Sequence, residues 1–340
     1  MSKKITSHII LWMLIQSFLL ANISAKEELN VYTYDSFSVE WGLGPILKKE
    51  FEAQCNCLVK YKAVEDAVSI LNRLKLEKES SIADVVIGFD NNLIAEATAT
   101  GLFTEHTIGL NDGLLTNLPT SWDDKNFLPF DYGWVEIIYD SKKIASVPDS
   151  LDQLINSNES SPTLIIQDPR ISTPGLGFIL WIKKLYGNKS SQAWGNLSKK
   201  IVTVTKNWSE SYNLFLKGES DMVLSYTTSP LYHKIMEKTD RYKSFSPKEG
   251  NYQQVEVAGI LKSSNKFKLS KKFLEFLLST KIQKQIPMTQ WMYPARKVEM
   301  PTEFNNTPSP SKSLQFDPTE VFENKKRWID EWKKSLILAR

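Results

Sequence analysis

The chain has little of what most active sites are made from. Its 340 residues include two cysteines and three histidines, and one histidine, His8, belongs to an apolar amino-terminal segment. His106 and His233 form no HExxH pair, and the sequence contains no GxSxG elbow, P-loop or dinucleotide-binding glycine pattern. Zinc-protease, serine-hydrolase and nucleotide-dependent chemistry in those forms is excluded. Asp84, Asp90 and Asp131 are candidate acids, but acids at strand ends also serve structure, so the sequence leans towards binding. An excess of one charge is missing too: 42 Lys and Arg against 39 Asp and Glu leave a formal charge of +3. That balance gives no electrostatic footprint for nucleic acid or an anionic membrane surface.

Long apolar runs are also scarce. Lys3 and Lys4, the run Ile9 to Leu20 broken by Gln16 and Ser17, and the small-residue exit Ala21-Asn22-Ile23-Ser24-Ala25 have the three-part form of a secretory signal. Cleavage after Ala25 is expected. An uncleaved anchor is the alternative, for which the run is short of the roughly 20 apolar residues that span a bilayer. No cysteine near the exit offers a lipid attachment point. Removing residues 1–25 takes away two lysines and no acids and lowers the formal charge to +1. The remainder is expected to be soluble and outside the cytoplasm. It exceeds the usual single core of up to about 250–300 residues, so two lobes with a ligand cleft between them are expected. Both cysteines sit in Cys55-Asn56-Cys57. In an oxidising compartment a disulfide between them is expected, with a free pair as the alternative, and no histidine cluster accompanies them to suggest a metal site.

What is present is an alternation of strand-like and helical stretches. Leu29 to Thr33, Leu58 to Ala63, Ala83 to Gly88, Trp134 to Tyr139, Thr163 to Ile166, Ile201 to Val204, Met222 to Ser225 and Gln254 to Leu261 read as strands. Pro45 to Ala53, Ala67 to Glu77, Leu151 to Asn156, Pro174 to Tyr186, Glu210 to Lys217 and Ser270 to Leu278 read as helices between them, which predicts α/β lobes. Asn305 to Ser313 reads as an exposed connection. After it, Asp317-Pro318-Thr319-Glu320 is a helix start, and Val321, Trp328, Trp332 and Leu336 share one face, which predicts packing for both tryptophans.

Aromatic residues gather beside turns and helix starts: Tyr34, Trp41, Trp208, Tyr226, Tyr232, Trp291 and Tyr293. Aromatic faces attract cations by roughly 0.5–2 kcal/mol per well-placed ring and stack on flat heterocycles. A cage for a flat or cationic small molecule is therefore indicated. Helix starts near these rings offer N–H groups to anions. Ser172-Thr173-Pro174-Gly175-Leu176-Gly177 serves either as a phosphate or polar-group clamp or as an ordinary cap. Asp66 either caps a helix whose Ala67, Leu71 and Leu74 face inward, or meets an amino-heterocycle or a ligand cation. Ser209 is the expected cap of the next helix, with Trp208 either stapling it or turning its indole N–H to a ligand. In Tyr226-Thr227-Thr228-Ser229-Pro230-Leu231-Tyr232 the two tyrosines either flank one opening or simply pack at a turn.

Taken in order, Val31-Tyr32-Thr33-Tyr34-Asp35-Ser36-Phe37, Cys55-Asn56-Cys57, Glu65-Asp66, Gly88-Phe89-Asp90-Asn91-Asn92-Leu93, Pro129-Phe130-Asp131-Tyr132-Gly133, Gln167-Asp168-Pro169-Arg170, Ser172 to Gly177, Leu224 to Pro230 and Trp291-Met292-Tyr293-Pro294 form a specific set. In these motifs the chain resembles the periplasmic thiamine-binding proteins of bacterial thiamine ABC transporters, over almost the whole mature length. The resemblance implies a two-lobed periplasmic-binding fold of type II, a periplasmic location, and thiamine or its mono- or diphosphate in the cleft, delivered to an inner-membrane permease with its ATPase. It implies no catalysis, cofactor, metal or nucleic-acid partner. By matching position it implies ligand contacts at Asp66 and Ala67, Ser172 and Thr173, Trp208, and Tyr226, Thr227, Thr228 and Ser229, with Tyr34, Trp41, Tyr232 and Trp291 as further pocket aromatics. Ala67 stands where the best-known members carry glycine. The expected division is lobe 1 at 26–131 and 260–340 and lobe 2 at 132–259, with crossings near Asp131 and Glu256. A thiamine-degrading transferase, which needs a cysteine nucleophile, a ferric-ion carrier using paired tyrosines, and a purely structural secreted protein are the rival expectations.

Overall fold

The computed structural model describes residues 26–110, 115, 118–157 and 161–338, so the expected signal segment 1–25 lies outside the described residues. Along the chain run β1 (Glu27–Tyr34), β2 (Cys57–Val64), β3 (Val85–Asp90), β4 (Phe103–Thr104), β5 (Phe127–Asp140), β6 (Leu164–Gln167), β7 (Ile201–Thr205), β8 (Met222–Tyr226), β9 (Tyr242–Ser244), β10 (Asn251–Leu261), β11 (Tyr293–Pro294) and β12 (Ser313–Leu314). They join in the order β2-β1-β3-β10-β5-β8-β6-β7, with the four short strands attached to β10 or β5. The sheet curls over two α/β lobes, and β5 serves both. Its residues Phe127 to Trp134 pair with β10, and Val135 to Tyr139 pair with β8.

Parallel neighbours β1–β2, β1–β3, β6–β7 and β6–β8 need crossover connections, which the helices Leu43–Cys55, Ala67–Glu77, Thr173–Tyr186 and Trp208–Leu216 supply. The period-two patterns explain the layers. In β1 and β3, Leu29, Val31, Val85 and Ile87 face a core shared with Leu47, Phe51 and Phe273, while Tyr32 and Val86 face the helix Ala67–Glu77. In the second lobe Met222 and Leu224 point to Trp181 and Trp194, and Val223 points to Tyr212 and Phe215. Each fully buried aliphatic side chain contributes about 1.5–3 kcal/mol.

The expected strand Trp134 to Tyr139 is only the second half of β5. Pro129, Asp131 and Gly133 hide the first half from a hydrophobic pattern. It forms because the register shifts beside Phe130, between the pairs Asp131–Glu256 and Pro129–Val257. Cys55 and Cys57 are joined, with an S–S distance of 1.92 Å. The helix Pro318–Leu338 starts on Asp317, whose Oδ1 accepts from Thr319 N at 2.8 Å, and buries Val321, Trp328 and Trp332. It packs on the helices Ile94–Ala99 and Ser190–Leu197, so it lies against both lobes.

Candidate functional site

The ends of β1 and β8, two helix starts and the middle of β10 converge on one cavity of about 440 Å³. Asp66 and Ser172 both have the extended backbone of N-caps. The Asp66 carboxylate accepts from Ala67 N at 2.7 Å and reaches across to the second lobe, taking Ser172 Oγ at 2.9 Å and Thr173 N at 3.1 Å. One acid therefore satisfies donors at two helix starts. Burial pushes its pKa up to about 6, and the bonds from Thr173, Ala67 and Ser172 pull in the opposite direction. Gly175 permits the second start to sit on β6: a Cβ there would lie 2.5 Å from the Gln167 carbonyl oxygen.

The aromatic wall is assembled from both lobes. Trp41, half exposed, meets Trp208 edge-on at 6.4 Å, and Trp208 stacks on Tyr212 at 4.9 Å. Tyr232 meets Trp291 edge-on at 5.3 Å. Trp291 has a φ of 54°, an uncommon conformation for a bulky residue, and its carbonyl accepts from Thr228 Oγ1. Tyr34 is fixed through its hydroxyl, which donates to Glu256 Oε2 at 2.8 Å and accepts from Gln290 Nε2 at 2.6 Å. Its ring lies over Gly88, where φ is 110° and a Cβ would fall 2.2 Å from the ring.

Behind Tyr34 the sheet register sets three acids side by side: Glu256 on β10 is opposite Asp90 on β3 and Asp131 on β5. Burial and the nearby Asp131 charge hold Glu256 well above the usual carboxylate range. Burial raises Asp131 likewise and brings Asp90 to about 7, against the bonds that Asn92 donates to Asp90. Tyr226 donates to Gln254 Oε1 at 3.1 Å, and Gln254 Nε2 donates to Glu256 Oε1 at 3.4 Å.

Of the residues singled out in the sequence, Tyr34, Trp41, Asp66, Thr173, Trp208, Tyr226, Ser229, Tyr232 and Trp291 line the cavity. Ala67, Ser172, Thr227 and Thr228 sit just behind its wall. Ala67 N and Ser172 Oγ are engaged by Asp66, while Thr227 N donates to the Trp134 carbonyl at 3.0 Å. The Trp208 indole N–H donates to Ser225 Oγ at 2.7 Å, inside the protein. The helix that follows is capped by Asn207 rather than Ser209: Asn207 Oδ1 accepts from Glu210 N at 2.8 Å, which starts the helix at Trp208 and leaves Ser209 lining the cavity. His233 is buried between Tyr212 and Glu237, and His106 accepts from Ile108 N, so both histidines are structural. Glu256, Gln290 and Tyr212 were not singled out as site residues. For Glu256 a signal existed, an acid inside the apolar stretch of β10; for Gln290 none did.

Residues 80–318 match the family model of bacterial extracellular solute-binding proteins. The chain is 49% identical over 316 residues to the thiamine-binding periplasmic protein of Escherichia coli (strain K12), covering 93% of this chain and 95% of that one. A solved structure of a periplasmic thiamin binding protein superposes with a TM-score of 0.89 at 48% identity, covering 93% of this chain and 98% of that chain. The apo ferric ion-binding protein A of Pasteurella haemolytica superposes with a TM-score of 0.73 at 17% identity, covering 91% and 98%, a likeness of fold alone.

Proposed function

The chain belongs to the bacterial extracellular solute-binding proteins, among the thiamine-binding periplasmic proteins, and from this we propose that it binds thiamine between its lobes and hands it to an ABC importer. The observation that carries this is the composition of the cavity. Tyr34, Trp41, Trp208, Tyr226, Tyr232 and Trp291 surround it together with the carboxyls of Asp66 and Glu256, and no Lys or Arg is among its described lining residues. Thiamine pairs a flat aminopyrimidine with a permanently charged thiazolium, which suits aromatic faces and carboxylates. Tyr34 and Tyr232 take the pyrimidine, and Trp41 or Trp291 adds a wall.

The helix starts at Asp66–Ala67 and Ser172–Thr173, with the segment Tyr226 to Ser229, take the hydroxyethyl end or the phosphate of a monophosphate or diphosphate ester, and Trp208, whose indole N–H is held by Ser225, offers its ring face. A phosphate there competes with the Asp66 carboxylate for the same donors. The partners of the loaded protein are an inner-membrane permease and its ATPase, reached from the periplasm after the signal is removed. The activity is binding rather than turnover, in keeping with relatives that are periplasmic binding proteins; a thiamine-degrading transferase needs a free cysteine, whereas both cysteines here are tied in one disulfide and neither lines the cavity. Lobe 1 takes 26–131 and 260–340, and lobe 2 takes 132–259.

Calorimetry with thiamine and its diphosphate tests the assignment. Tyr232→Ala is expected to weaken both ligands alike, by roughly tenfold or more, since about 1.4 kcal/mol is a factor of ten. Ser172→Ala is expected to weaken the diphosphate more than thiamine. Equal losses for the two ligands on Ser172→Ala would remove the phosphate from that helix start.

A further inference from the structure

The row Asp90–Glu256–Asp131 crosses three adjacent strands, and residues directly opposite in antiparallel pairs share one face of the sheet. Three carboxyls on neighbouring strands repel one another when ionised. Only Glu256 of the three lines the cavity. Its two oxygens are held by Tyr34 and Gln254, both neutral donors. Asp131 is fully buried behind it, and neither of its carboxyl oxygens has a hydrogen-bond partner among the described residues. A fully buried carboxyl without a partner is costly as a polar group and far more costly as an ion. The row is thus a feature that the fold alone does not compensate.

We propose that Glu256, backed by Asp131, is the charge-selecting residue of the cavity: it meets the positive charge of the bound cation, and it loses a proton to solvent as that cation enters. This rests on the thiamine reading of the site. The groups around Glu256 fit the role from every side. Tyr34 at the end of β1 and Tyr226 at the end of β8 are phenols whose pKa values burial raises, so both remain neutral donors. Asp66, Asp90 and Asp131 are acids whose charges disfavour an ionised Glu256. Lys325 acts on the row through Asp90, and that lysine is paired with Glu96. Without ligand, Glu256 therefore holds a proton into a range where an ordinary carboxyl has lost it. A cation beside it favours the ionised form and displaces that proton. Cation affinity then rises with pH up to the ligand-free pKa of the pair and levels off above it.

The test compares thiamine with 3-deazathiamine, its uncharged thiophene isostere, by calorimetry from pH 5 to 8 in buffers of different ionisation heat. The wild-type protein is expected to prefer thiamine by about tenfold or more and to release a proton on binding within this range. Glu256→Gln is expected to bring the ratio of the two ligands near one and to abolish the proton release; Asp131→Asn is expected to keep the preference for thiamine but shift the release to lower pH. A Glu256→Gln protein with wild-type preference and wild-type proton release overturns the proposal. If that variant does not fold, the wild type decides: equal affinity for both ligands, or no proton release across the range, overturns it. A wild type that binds neither compound overturns the thiamine reading itself.

Discussion

Gly88 shows how much of the cavity depends on one missing carbon. Its φ of 110° and the Tyr34 ring over it leave no space for a methyl group. Gly88→Ala is expected to displace Tyr34 and weaken thiamine by roughly tenfold or more, about 1.4 kcal/mol, seen in a calorimetric titration. Asp66 yields a pH prediction. An unfolded aspartate titrates near 3.9, whereas Asp66 in the fold is raised to about 6. The folded state holds this proton more tightly, so the group favours folding below about pH 4, and that contribution fades as pH rises through about 6. The swing is about 3 kcal/mol at 1.36 kcal/mol per unit. Asp66→Asn is expected to flatten this part of the stability curve in thermal melts from pH 4 to 7; an unchanged slope would place the titration elsewhere. Local chemistry of this kind was readable in the chain. The caps at Asp66, Ser172 and Asp317 follow from residue type next to a helical pattern. The row Asp90–Glu256–Asp131 does not, because it depends on a strand register between residues more than a hundred positions apart.

At the scale of elements, the two tryptophans of the helix Pro318–Leu338 serve packing and leave the cavity to others. Trp328 and Trp332 are buried against the large core and do not line the cavity. Trp332→Ala is expected to lower stability by about 3–5 kcal/mol, the usual range for a buried aromatic, while thiamine affinity of the folded fraction stays within about threefold. Denaturant unfolding and a ligand titration on the same variant separate the two effects. The spacing seven, four and four made this helix and its face legible. Strand β5 was half legible, since Val135, Ile137 and Ile138 carry a strand pattern while its first half survives by a register shift that no local pattern announces. The start at Trp208 differed for a similar reason. Asn207 as cap places Glu210 at the third helical position, where its carboxylate also accepts from Lys206 N at 3.0 Å.

The whole molecule joins these elements across a cleft. Asp66 bonded to Ser172 and Thr173, Thr228 bonded to the Trp291 carbonyl, and Trp41 against Trp208 are contacts between chain segments assigned to different lobes. Polar bridges of this sort suit a structure that opens and closes, because each donor and acceptor is satisfied by water when the lobes part. Under the proposed function, closure on ligand would give a permease a shape to distinguish. Small-angle scattering is expected to show a smaller radius of gyration with saturating thiamine than without it, and superimposable curves would count against closure. The most direct measurement is a calorimetric titration of the ligand-stripped protein with thiamine, run beside a Tyr34→Ala, Tyr232→Ala double variant. One thiamine per chain, bound by the wild type and lost or weakened by at least about a hundredfold in the variant, near 2.7 kcal/mol, is the expected result. No saturable heat with the wild type, or equal affinity in both proteins, would contradict a thiamine site between the lobes.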